Sequence, residues 1–123
     1  MQASRLALEA LLVLLIAGHL AINLFADLPR FLVGENIVKA MLYAVGLYAV
    51  HRGLPWGYYY VAILAAFGAG RVSRTVVDPY GRLGAAGLDC EPNPAMAYAH
   101  IPLVLAELAA AVLAAVAGLR ARV

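Results

Sequence analysis

The stretch from Tyr58 to Val77, YYYVAILAAFGAGRVSRTVV, decides the fold. It has about the 20 residues that a helix needs to cross the hydrocarbon of a bilayer, yet its last third holds Arg71 and Arg74. An ionised side chain at mid-bilayer costs about 2.5–3.5 kcal/mol, so it turns into the protein, finds a partner, or reaches the interface from a helix end. Read as a transmembrane helix, the stretch predicts a split. Arg71 turns inward, and Arg74 turns outward at the interface, held by Asp78 four residues on.

The rest of the chain supports that reading. Apolar residues make up 65% and charged residues 13% of the 123 positions, with a mean hydropathy of +0.86, against roughly 45–50% and 25% in soluble domains. Together with 57–77, apolar stretches at about 6–26, 36–51 and 95–119 predict an all-α, polytopic membrane protein, a single-domain antiparallel bundle of four transmembrane helices. The second stretch is short, with Gly34, Glu35 and Asn36 marking its start. It must stand upright or borrow Phe31, Leu32 and Val33. Arg5 ahead of LLVLLIAGHLAI resembles a signal peptide, but no small-x-small cleavage site follows, so the first span reads as an anchor. One cysteine, Cys90, excludes an internal disulfide and a cysteine zinc site.

Arg5, Arg52, Arg120 and Arg122 gather at one end, and Arg30, Lys39, Arg71, Arg74 and Arg82 at the other, where Asp27, Glu35, Asp78, Asp89 and Glu91 also lie. Several of the second group fall within the membrane layer, so the expectation is both termini in the cytoplasm of a cell-membrane protein. ADLPRFLVGEN and RGLPWG are turn-like, and WGYYY (56–60) suits an aromatic belt. DPYGRLGAAGLDCEPNP, about 17 residues, has the length of a functional loop. Ala66 with Gly70, and Ala110 with Ala114 and Gly118, are small residues at the spacing that lets helices approach closely in lipid. Asn93-Pro94-Ala95 resembles the water-channel signature, but that family needs two copies in a longer chain. Here it reads as an N-cap followed by Pro in the first helical position.

At about 1.5 Å per residue, Arg71, His19 and His100 lie roughly 8–9 Å inside their helices and Glu107 near the midplane. Side chains lean toward the N-terminus of their own helix, so Arg71 and Glu107 converge from antiparallel helices. An Arg71–Glu107 ion pair is expected. His100 shares a face with Glu107, His19 with Asn23, and Lys39 with Tyr43, all in one half of the bundle. Pro102 frees the carbonyl of Tyr98 beside this cluster. Arg71, Glu107, His100, His19, Asn23, Lys39 and Tyr43 are therefore the candidate ligand-binding residues; an internal polar lock is the alternative for the same residues.

The segments ENIVKAMLYAVG (35–46), GAGRVS (68–73) and LVLAELAAAV (103–112) give the chain a resemblance to small four-helix membrane proteins of the DoxX-like group, over roughly residues 35–115. The resemblance implies a four-helix fold, an association with quinone-linked redox systems, and functional roles for Lys39, Arg71 and Glu107.

The leading functional expectation is a non-enzymatic protein with an intrabundle polar pocket for a small amphipathic or lipidic ligand, such as a quinone, isoprenoid or lipid. The alternatives are an accessory subunit of a larger respiratory or transport complex, an enzyme using Glu107 and His100 for proton transfer, and a small proton-coupled transporter built as a dimer and carrying its proton on Glu107. The partners expected are the bilayer, a lipidic small molecule, and a homo-oligomer or larger membrane complex. A haem-bearing subunit would need two axial ligands, and His19 with His100 is the matched pair. No Walker motif, HExxH or nucleophile elbow is present, and no basic stripe suits nucleic acid. The residues name no cofactor.

Overall fold

The computed structural model describes residues 2–25, 30–77 and 94–121. Among them, every regular element is α-helical: α1 (Gln2–Phe25), α2 (Arg30–His51), α3 (Gly57–Val77) and α4 (Pro94–Ala121). Each includes a segment of 21 to 23 residues that is long and apolar enough to cross a membrane. At 1.5 Å per residue these reach about 31–35 Å, matching a hydrocarbon core of about 30 Å. The chain is an integral membrane protein built as a four-helix bundle.

All four buried faces follow one rule. The inward residues are Leu8, Leu12, Leu15, His19 and Ile22 on α1, and Leu32, Asn36, Lys39, Tyr43, Gly46 and Val50 on α2. On α3 they are Val61, Ala65, Gly68, Val72 and Thr75, and on α4 His100, Leu103, Glu107, Ala110, Ala114 and Ala117. Steps of three and four alternate throughout, the seam of helices packed knobs-into-holes. The outward faces carry Leu14, Leu24, Met41, Ile63, Phe67, Leu105 and Val112, large apolar side chains suited to lipid. The inside holds His19, Asn36, Lys39, Thr75, His100 and Glu107.

The helices run antiparallel, with α1 packed against α2 and α4, and α3 against α2 and α4, so α2 and α4 face each other across a diagonal. The α3–α4 seam is the most extensive. There Gly118 comes so close that an added Cβ would stand 3.2 Å from the Tyr58 side chain. The Ala110, Ala114 and Gly118 stripe is thus spent inside the chain, whereas Ala66 and Gly70 face outward, with nothing within 4 Å of a Cβ added at Gly70.

The short second span borrows residues, beginning at Arg30 and passing unbroken through Gly34, Glu35 and Asn36. A glycine inside a helix costs only about 1 kcal/mol, and the two polar side chains find partners on neighbouring helices. α2 ends in a Schellman motif. Gly53 adopts φ 69°, and its N–H donates to Val50 O at 3.1 Å, while Leu54 N–H donates to Ala49 O at 2.9 Å. Trp56, Tyr59 and Tyr48 lie exposed at this end, as an aromatic belt requires. α4 starts at Pro94, the expected first helical position, and continues unbroken through Pro102, which sits on its outward face. The long connection, Cys90 and the Arg74–Asp78 contact lie outside the described residues.

The α2–α3 seam closes tightly near this turn. A Cβ on Gly46 would fall 2.8 Å from Val61 and 3.2 Å from the Tyr60 ring. Gly46→Val is expected to lower stability by about 1–3 kcal/mol through overpacking, while Gly70→Ala leaves it unchanged or slightly raised. Unfolding of both variants in mild detergent checks this; equal midpoints would contradict the close approach at Gly46.

Candidate functional site

One layer of the bundle holds four of the seven candidate residues. Glu107, wholly buried, projects from α4 toward the diagonal, and Lys39 crosses from α2 to donate from Nζ to its Oε1 at 2.8 Å. His19 of α1, also wholly buried, brings Nε2 to 3.1 Å from the same oxygen, within ion-pair distance though off the axis of a hydrogen bond. Its Nδ1 donates to Leu15 O at 2.7 Å. The Tyr43 ring lies 5.7 Å from the His19 ring, centre to centre.

The contribution of α3 to this layer is a glycine. A Cβ on Gly68 would collide with Glu107 Oε2 and stand 2.9 Å from the Tyr43 hydroxyl. Both oxygens are buried without a hydrogen-bond partner, and both turn to the same point above the Gly68 backbone. Gly68 thus makes the room in which a carboxylate fits between two closely packed helices. Sequence reasoning missed it, although the alternating three-and-four spacing of α3 places it inward.

The expected Arg71–Glu107 pair does not form. Arg71 donates from Nε and one terminal nitrogen to the two oxygens of Glu35, at 2.9 and 3.3 Å, and its side chain is 46% exposed. Along α3 it is Gly68, one turn earlier, that faces Glu107. Three residues on, Arg71 is turned roughly 60° from Gly68, onto the flank that faces α2. Lys39 takes the inward place because it belongs to the α2 seam and its long apolar stem spans the core.

The other candidates divide. Asn23 accepts a hydrogen bond from the Asn36 amide at 3.0 Å and donates to Val33 O at 3.4 Å, tying α1 to α2 apart from Glu107. His100 is buried on the same stripe of α4, two turns before Glu107. At the far end Glu9 meets Arg5 at 3.9 Å and His51 at 3.3 Å.

Beside this layer, a groove of about 410 Å³ opens laterally between α2 and α3. Lys39 is in its floor, the Glu35–Arg71 pair spans its polar end, and Gly34, Val38 and Phe31 line its α2 side. Leu42, Leu64 and Phe67 continue it into an apolar trough of about 310 Å³ ending at Tyr60 and Ile63. Tyr60 closes that end by donating to Leu42 O at 2.8 Å. Among the described residues no group of three His, Cys, Asp or Glu is placed to hold a metal.

No protein-family model, curated protein or solved structure matches this chain.

A buried ion pair leaves an uncompensated charge when one partner is removed, at a cost of about 3–5 kcal/mol. Lys39→Met and Glu107→Leu are each expected to lose that much, and the double variant carrying both to lie nearer the wild type than either. Additive losses in the double variant would refute the coupling.

Proposed function

We propose that the protein holds a small amphipathic or lipidic ligand, such as a quinone, isoprenoid or lipid, in the groove between α2 and α3. One observation carries this reading: the groove joins a polar end, made by Lys39, Glu35 and Arg71, to a trough lined by Leu42, Leu64, Phe67 and Ile63. Mostly apolar walls with a few convergent polar groups are what small-molecule sites present, and this one opens sideways, where a ligand dissolved in the bilayer arrives. Lys39 has three N–H donors and gives one to Glu107. The remaining donors, with those of Arg71, offer hydrogen bonds to a polar head. The positions picked out by the DoxX-like resemblance, Lys39, Arg71 and Glu107, belong to the two adjoining ion pairs here.

The protein resides in the cell membrane with both termini in the cytoplasm. Four crossings return the chain to the side where it began. Lys39 and Arg71 are paired within the membrane layer and drop out of the positive-inside balance. What remains is Arg5, Arg52, Arg120 and Arg122 against Arg30, Arg74 and Arg82. A second reading, a subunit docked in a larger complex, draws on the outward Ala66 and Gly70, small residues that leave room for another helix.

Native mass spectrometry from mild detergent tests the first reading. The wild type is expected to carry an additional mass of lipid or quinone size. Gly34→Leu is expected to lose it while folding normally, because Gly34 lines the groove and nothing lies within 4 Å of a Cβ placed there; Arg71→Ala is expected to weaken it. An apo wild type, or a bound mass indifferent to Gly34→Leu, would remove the groove from consideration. Higher oligomers with a clean apo mass would favour docking.

A further inference from the structure

The layer behind the groove poses a question of protons that ligand binding does not answer. Leu15 O is a carbonyl and can only accept, so its 2.7 Å contact with His19 Nδ1 places a hydrogen on that nitrogen. In neutral His19 the other nitrogen, Nε2, then carries a lone pair, and Glu107 Oε1 stands 3.1 Å away, off the line of that lone pair. An ionised carboxylate has only lone pairs to offer in return. Two acceptors at that separation, both wholly buried, repel each other unless one of them carries a proton.

Charge counting gives the opposite pull. With Lys39 protonated, Glu107 ionised and His19 neutral, the three groups sum to zero. Adding a proton at Nε2 turns the repulsive contact into an attractive one but leaves the cluster at +1 in a dry interior. Each form therefore carries one cost that the other avoids, which draws their free energies together.

From this we infer that Lys39, Glu107 and His19 form a reversible proton-binding site within the membrane. Uptake makes one N–H bond at Nε2 of His19, the proton coming from hydronium in water; release breaks it. Tyr43 serves both forms, since its hydroxyl shares the space over Gly68 with Oε2 and can donate to the carboxylate. The groups facing Glu107 are His19 from α1 and Lys39 and Tyr43 from α2. α3 offers Gly68, its Arg71 being engaged by Glu35, and α4 carries His100 two turns away on the same face. Lys39 is the member that reaches the groove, at the end where Glu35 and Arg71 also stand.

Nitrogen-15 NMR of the full chain in micelles, with labelled histidine and carbon-13 glutamate, tests this directly. Spectra from about pH 3 to about pH 9 bracket the ordinary histidine and carboxylate values. His19 is expected to keep its hydrogen on Nδ1 throughout and to exchange between two protonation states, with the Glu107 carboxyl moving over the same pH interval. His51, which is exposed, serves as the independent comparison. In Glu107→Gln the His19 step is expected to vanish from the range. A His19 fixed in one state in the wild type, a hydrogen on Nε2 alone, or separate intervals for His19 and Glu107 would each overturn the proposal. The wild-type measurements decide the matter even where Glu107→Gln fails to fold.

Discussion

The Lys39–Glu107 contact is the interaction on which the rest of the bundle depends. It spans the diagonal between α2 and α4, the two helices without a shared flank, and so sets their separation and their axial register together. In lipid the hydrophobic effect gives helices little reason to choose one neighbour over another, because the tails outside are as apolar as the side chains inside. A buried charge differs in kind, being strongly disfavoured anywhere except against its partner. Placing one charge on α2 and one on α4 therefore removes most alternative registers.

Neighbouring features follow from accommodating that pair. Gly68 leaves the space that Glu107 occupies, and a larger residue there would push the carboxylate out of the α3–α4 seam. Small residues dominate the same seam on either side, with Ala65 and Ala69 on α3 and Ala110 and Ala114 on α4. The α2–α3 seam behaves otherwise. It closes at Gly46 and Gly57 near the turn, then opens toward the other end into a groove that the Glu35–Arg71 pair bridges. One half of the bundle is thus tightly packed and small-sided, and the other half holds the polar groups and the opening. The proposed ligand site and the proposed proton site both fall in that half.

Much of this was legible in the residues. Composition and four long apolar stretches were enough for a four-helix membrane bundle, because only a helix satisfies its own backbone hydrogen bonds across lipid at that length. The set of polar residues at one end could also be read, and His19, Lys39, Tyr43 and Glu107 do meet in one layer. The pairing could not be read from depth alone. Rise per residue gives the level of Arg71 and of Glu107, but not the direction each side chain takes around its helix. The alternating three-and-four seam carries that direction, and along α3 it passes through Gly68 and Val72, leaving Arg71 to one side.

The sequence by itself determined the environment, the helix count and the half of the bundle where charge would be buried, since each follows from the cost of moving particular groups out of water. Only the tertiary structure decided that Lys39 rather than Arg71 meets Glu107 and that Glu35 takes Arg71. It also decided that His19 Nε2 stands beside the Glu107 carboxyl, and that the groove lies between α2 and α3. Those outcomes depend on which helix stands beside which and on how each is rotated about its axis. That information belongs to the packing of all four helices at once and is carried by no single segment.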